Sequence, residues 1–316
     1  MNELKTDLQL ITPCFCAGAD QRQAEIRVPS IRGQLRWWFR VLGGTLDAER
    51  EVFGGISRQG EEEKPMASRV CLRVYDVQNQ YGEEHELPKS ANSPLSYLFY
   101  YAKVSGNREN IFRFRKPGWL APGSSFTLHA SFRHHLESSN LELFIRSWQT
   151  FLLLGSLGLR QTRGLGAFAE KQLPTFAEFQ QSCRKLCPGI KKWYVGNVNQ
   201  APYICSNWKE AMMSLEAVLG WIRQHGFSAG QHGDLPSPLG KSSGGRQASA
   251  LHLRPVLLQE GFLPVFFYTP EILAPESRNP ALENLLDNMP FKTPYRQKNA
   301  KDSVDDRSEL VLRELE

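Results

Sequence analysis

Apolar positions along the chain change period at recognisable places. Leu8 and Leu10 alternate with Gln9 ahead of Thr12-Pro13, which predicts a first strand. Ile31, Leu35, Trp38, Phe39 and Leu42 then fall at i, i+4, i+7, i+8 and i+11, one stripe of a helix. Pro29-Ser30 reads as its start, with Ser30 able to accept from a first-turn N–H, and Gly43-Gly44 as its end. A second strand is expected from Ser68 to Tyr75, with Val70, Leu72 and Val74 on one face and Arg69, Arg73 and Tyr75 on the other. Phe126, Leu128, Ala130 and Phe132 alternate in a third. Ser139-x-x-Glu142 has the form of a capping box before Leu141, Phe144, Ile145, Trp148, Phe151 and Leu152 at helical spacing. The order is strand, helix, strand, strand, helix.

A second unit begins beyond Pro174. Asn207-x-x-Glu210 caps a helix carrying Trp208, Ala211, Met212, Leu215, Val218, Leu219 and Ile222, ending near Gly226. Two strands, about 248–258 and 262–268, and a short helix around 283–287 follow. The pattern predicts an α+β chain with a first module at 1–172, a second at 173–290 and a charged tail at 291–316, low in apolar residues until Leu310-Val311-Leu312 and expected to be mobile or partner-dependent. Residues 78–122 read as an insertion broken by prolines, with one short helix near 96–102 and a loop of acidic residues at 60–65 before it. The run Phe112-Arg113-Phe114-Arg115-Lys116, with Arg108 upstream, interleaves aromatics and cations. That suits nucleic acid, and it equally suits a charge-protected sheet edge.

Composition narrows the class only modestly. With 41% hydrophobic residues among 316, the chain can bury a core, and a formal charge of +5 leaves it mildly basic. A nucleic-acid argument must therefore rest on where arginines cluster. No apolar run is long enough to span a bilayer, and the first residues lack the apolar core of a signal peptide. Cys14-x-Cys16 and Cys183-x-x-x-Cys187 lack zinc-ribbon spacing, so the six cysteines read as free thiols of a cytoplasmic protein without cofactor or metal.

Arg32, Arg36 and Arg40 form an i, i+4, i+8 ladder on the outward side of the first helix, beside Gly33. Like charges at this spacing cost a few tenths of a kcal/mol per pair, which points to a polyanion lying on them. Arg27 stands just upstream, and Trp37 is placed to stack a base. Internal neutralisation by Asp47, Glu49 or Glu51 is the competing reading. The glycine-rich stretch 155–166 adds Arg160, Arg163 and Gly164 as a cationic loop whose backbone can approach an anion. It lacks the lysine and hydroxyl of a Walker loop and has no strand before it to form a dinucleotide fingerprint. A glycine turn packed on the sheet is the plainer alternative. Arg246 and Arg254 are candidates in the second unit.

The blocks Thr12-Pro13, Gly18-Ala19-Asp20, Glu25 through Trp38, and Val52-Phe53-Gly54-Gly55 closely resemble the amino-terminal pattern of the RAMP superfamily, nearest to the family of first subunits of the type III-B CRISPR (Cmr) effector. The stretch 155–166 resembles the RAMP glycine-rich loop, and Gly245 through Pro255 resembles a late block of the same family. This resemblance implies two tandem ferredoxin-like (RRM-like) modules with antiparallel sheets. It also implies a non-catalytic RNA-binding subunit that contacts guide RNA toward its 3′ part and the paired target RNA, alongside other Cmr subunits. No membrane or small-molecule substrate is implied. The aromatic strand signature of ordinary RRMs is not evident, so base stacking on the sheet is not expected.

Two rivals remain at this level. A metal-independent RAMP endoribonuclease would draw its base from His129, His134, His135 or His252, although no spacing compels two of these together. A structural adaptor without RNA contact would set the arginine ladder against an acidic protein.

Overall fold

The computed structural model describes residues 3–18, 23–59, 62–88, 94–99, 103–104, 113–114, 118–133, 136–197, 201–224, 239, 249–269, 280–287, 290–291 and 310–315. In chain order the elements are β1 (Glu3–Leu10), α1 (Val28–Val41), α2 (Leu46–Phe53), β2 (Gly55–Gln59), β3 (Glu62–Met66), β4 (Val70–Gln78), β5 (Lys103–Val104), β6 (Arg113–Phe114), β7 (Ser125–Phe132), α3 (Ser138–Leu154) and β8 (Phe168–Glu170). Next come α4 (Phe176–Leu186), β9 (Lys191–Asn197), α5 (Trp208–Gln224), β10 (Leu251–Leu258), β11 (Gly261–Tyr268), α6 (Pro280–Asp287), β12 (Pro290–Phe291) and β13 (Leu310–Glu314).

The main sheets repeat one topology. In the first, β1-α1-β4-β7-α3-β8 gives the order β4-β7-β1-β8, all antiparallel. In the second, β9-α5-β10-β11-α6-β13 gives β10-β11-β9-β13, with β12 added at the edge. Each is a βαββαβ ferredoxin-like module. The last strand, β13, comes from the stretch counted above with the charged tail. Its Leu310 and Leu312 are buried in the second sheet against β9, because apolar alternation returns there after the charged run.

Packing between the modules explains why β10 and β11 read as almost continuously apolar. One face of this pair packs with α5 and α6. The other, through Val256, Leu258, Val265 and Phe267, joins the core under α1 and α3, where Trp38 meets Phe267 at 5.5 Å. A strand buried on both faces has no reason to alternate. Full burial of Trp38, Phe39, Phe144 and Phe151 contributes about 2–3 kcal/mol each to this core.

Several local expectations change. Helix α1 starts at Val28 with Arg27 at its N-cap and no side-chain cap; proline tolerates the first turn, and Ser30 lies inside the helix, 3.6 Å from the Cys16 thiol. The capping box at Ser139 does not form, since α3 begins at Ser138 after Glu137 with no side-chain cap. At Asn207 the cap does form: the Glu210 amide donates to Asn207 Oδ1 at 3.1 Å. The acidic 60–65 segment belongs in part to the β2–β3 hairpin. Within the insertion, 94–99 form turns rather than a helix. The Leu95 and Tyr97 amides donate to Glu216 of α5, so the insertion is strapped to the second module.

Candidate nucleic-acid interface

Helix α1 turns Ile31, Leu35, Trp38 and Phe39 into the core, which leaves Arg32, Gly33, Arg36 and Arg40 on the open side. The competing reading, internal neutralisation, is realised in part. Arg36 Nε and Arg40 Nη1 (3.3 Å) both donate to Glu49 of α2, a carboxylate only 2% exposed. Both guanidiniums still face solvent, their side chains 37% and 42% exposed. The other two carboxylates are spent elsewhere: Asp47 on Arg50 at 2.9 Å, and Glu51 on Arg69 at 2.7 Å and on the Asn140 amide. Among the described residues Arg32 has no carboxylate partner. Two of the three guanidiniums therefore share one carboxylate, and the third has none among these residues. Gly33 is exposed, and a Cβ built there would meet nothing within 4 Å.

Arg27 pairs with Glu25 at 3.3 Å and donates to the Ala17 carbonyl, so it fixes the chain entering α1. Trp37 is half-buried, edge-on to Trp38 at 4.7 Å and 5.0 Å from the ring of His252.

The glycine loop does not behave as an open anion cradle. Ser156 bridges Ala167, the Gly166 amide donates to the Pro13 carbonyl, and the Leu253 amide donates to Thr162, so the loop is wedged between the modules. Arg163 is 3% exposed and donates to Ser249 Oγ (3.0 Å), the Leu251 carbonyl (3.2 Å) and the Leu239 carbonyl (2.7 Å). Burial pulls its pKa down to about 10. Gly164 has φ +83°, and a Cβ there would sit 2.7 Å from Met212 Sδ. Arg160, at φ +63°, donates to the carbonyls of Tyr97 and Leu98 and thereby holds the insertion. Arg254, 1% exposed with a pKa lowered by desolvation to about 9, donates to the Phe168 carbonyl and lies 5.3 Å over the Phe168 ring. Arg163, Gly164 and Arg254 thus join the two modules and do not face a groove. Arg246 lies outside the described residues, as do Arg108, Phe112, Arg115 and Lys116.

Three-dimensional packing adds what spacing alone could not give, a cleft of about 170 Å³ between α1, the end of α3, the glycine loop and the β10–β11 pair. Gln34, Trp37, Gln161 and Thr162 rim it, and Trp38, Ser249, His252 and Phe267 lie deeper. His252 stacks on Phe267 at 4.5 Å; burial, with the nearby Arg163 charge adding to it, lowers its pKa to about 3. His129 contacts Glu3 at 3.0 Å on the far face of the first sheet, and His134 and His135 lie outside the described residues.

Comparison with known proteins agrees with the topology. The Cmr1-1 subunit of the CRISPR Cmr system of Pyrococcus furiosus is 28% identical over 155 residues, which is 45% of this chain and 40% of that protein. The chain thus aligns with well under two thirds of that relative's length. The Cmr1-2 subunit of the same organism is 28% identical over 194 residues, 55% of this chain and 97% of that protein. A crystal structure of Cmr1 from Pyrococcus furiosus in its apo form superposes with a TM-score of 0.56 at 18% identity, covering 99% of this chain and 94% of the other, so the two share their fold. No described helix is long and apolar enough to cross a membrane. The RAMP superfamily profile matches residues 7–169, more than half of the chain and nearly all of the first βαββαβ unit, and the protein belongs to that superfamily.

Proposed function

We propose that this protein is a Cmr1-type subunit of a type III-B CRISPR ribonucleoprotein and that it binds guide and target RNA through their backbones without cutting them. One observation carries the reading: on the open side of α1, Arg36 and Arg40 share a single carboxylate and Arg32 has none among the described residues, beside a glycine with free space above it. A sugar–phosphate chain supplies the missing negative charge, and the bare backbone at Gly33 lets it approach closely. Arg32, Arg36 and Arg40 make the phosphate contacts, and Arg27 and Arg160 hold the flanking segments in place. The names of the similar Cmr1 subunits support the same assignment and add sister Cmr subunits as partners. Because guide and target pair with each other, shape and charge suffice for the protein's part.

His252 supports a non-catalytic role. A general base for RNA cleavage needs a pKa near the working pH and access to a 2′-hydroxyl. His252 is buried and its pKa lies far below that range.

Arg32→Ala combined with Arg40→Ala is expected to weaken binding of single-stranded RNA and to flatten the dependence of log K on log salt by about 1.4. An unchanged slope in a filter-binding titration at several salt concentrations removes the phosphate reading and leaves the protein-adaptor alternative. A discrete cleavage product from repeat RNA in EDTA, abolished by a histidine substitution, overturns the non-catalytic assignment.

A further inference from the structure

We propose that the cleft between α1 and the β10–β11 pair seats one unstacked nucleobase of the RNA strand carried by α1. This rests on the RNA-binding reading above and adds a base-recognition site to it.

Size is the first argument. At about 170 Å³ the cleft is smaller than the ~300 Å³ at which ordinary small-molecule sites begin, so it suits a single heterocycle without its sugar and phosphate. Part of its wall is aromatic, from Trp37, Trp38, His252 and Phe267. Trp37 stands 5.0 Å from His252, and His252 lies nearly parallel to Phe267 with an interplanar angle of 14°. Trp37, half-buried at the rim, offers a stacking face of the kind that splayed-out bases of single-stranded RNA use, and the stacked His252–Phe267 pair backs it.

Hydrogen-bonding capacity is the second. Ser249 is occupied, accepting from Arg163 and donating to the Leu251 carbonyl at 2.7 Å. Thr269 is likewise committed, to the Ala250 carbonyl and His252 Nε2. Trp38 also lines the cleft, and its indole N–H is buried without an acceptor among the described residues. That N–H is closed off from the cleft, so Trp38 gives a base an apolar wall and the polar contacts come from the rim. At the rim, the side-chain amides of Gln34 and Gln161 bond to no described residue and carry both donors and acceptors.

Placement is the third. Gly33 and Trp37 stand at i, i+4 on one ridge of α1, next to the ridge of Arg32, Arg36 and Arg40. A strand whose phosphates lie on the arginines therefore has an open path over Gly33 for a base to turn into the cleft mouth.

The test uses the full-length protein, oligouridylate, and an abasic ribose–phosphate chain of equal length. Removing every base keeps the charge and makes the result independent of register. Wild type is expected to bind oligouridylate at least about fivefold tighter than the abasic chain, as one base–aromatic stack provides. Trp37→Ala, and separately Gln161→Ala at the half-buried rim, should shrink that ratio while leaving the salt slope unchanged. Thermal melting checks that each variant is folded. Free uridine, followed by saturation transfer to its ring protons, should show the same dependence on Trp37. Equal affinity for the two chains in wild type, or a ratio that survives both substitutions, overturns the cleft assignment while the salt slope still stands for backbone binding. Uridine binding without any base dependence in the oligomer also overturns it, since the cleft then takes a free nucleoside. A flat salt slope is a separate failure, of the RNA reading itself.

Discussion

Arg36 of α1 donates through Nε to Glu49 of α2, a carboxylate that is almost completely buried. The arginine ladder is therefore partly tethered, and the acceptor that tethers it also lowers its net charge. Glu49→Gln retains a side-chain acceptor and deletes the charge. We expect tighter RNA binding, a salt slope steeper by about 0.7, and a loss of about 1–2 kcal/mol of stability. Parallel titrations of affinity against salt and of unfolding against urea check this. A variant that loses RNA affinity while still folded places the Arg36–Glu49 contact in the binding geometry rather than in charge balance.

Arg163 shows the opposite behaviour. It reaches across to the Ser249 hydroxyl and to the carbonyls of Leu239 and Leu251, using its planar fork in a buried joint. Arg163→Lys keeps the charge but loses that geometry and leaves buried acceptors short of donors. It should cost about 2 kcal/mol of stability, read as a lower urea midpoint, with the salt slope of RNA binding unaltered. A flattened slope in the folded variant would return Arg163 to the phosphate site.

These two residues mark what could be read from the chain before its fold was known. Periodicity locates α1, α3 and α5 and the strands β1, β4 and β7, because an amphipathic stripe or an alternating run states its own period, and near-continuous apolar runs mark β10 and β11. It also exposes the Arg32, Arg36, Arg40 row as a row. What it does not contain is distance between segments. Arg160 and Arg163 look alike in sequence, yet one anchors the insertion to the loop and the other is sunk between modules. Glu49 belongs to α2, an eight-residue helix too short for its pattern to stand out, and its side chain turns inward under the ladder. Strand β9, Lys-Lys-Trp-Tyr-Val-Gly-Asn, is buried along most of its length in the second sheet and so shows no alternation. The cleft joins Trp37 to His252, and no local signal connects positions so far apart.

His252 gives stability a pH dependence of known sign. Its folded pKa of about 3 lies below the ordinary value of 6.5, with desolvation the main cause. Between those values the unfolded chain takes up a proton that the folded chain refuses. The contribution of a neutral His252 is thus complete above pH 6.5 and is lost as pH falls toward 3, by about 1.4 kcal/mol per unit. Between about pH 4.5 and 5.5 the urea-derived stability of His252→Gln should fall less steeply than wild type by roughly that amount. Identical slopes would mean that the imidazole is already protonated in the folded protein, and hence that the cleft is wetter than its packing indicates.

Gly33 separates a structural role from a binding role most sharply, because the two predict opposite signs. Glycine inside a helix costs about 0.5–1 kcal/mol relative to alanine, and at Gly33 an added methyl meets no atom within 4 Å. Folding alone therefore favours alanine, and Gly33→Ala should raise the melting temperature. If a phosphate lies against this stretch of backbone, the same methyl holds it off, so RNA affinity falls several-fold. The salt slope should not change, since no charge is altered. At Gly164 the positive φ and the nearby Met212 sulfur make alanine destabilising whatever the RNA does. A Gly33→Ala protein that is more stable and binds RNA as well as wild type would show that no phosphate comes near Gly33, and the strand would then have to run along the arginine row at a distance from the helix backbone.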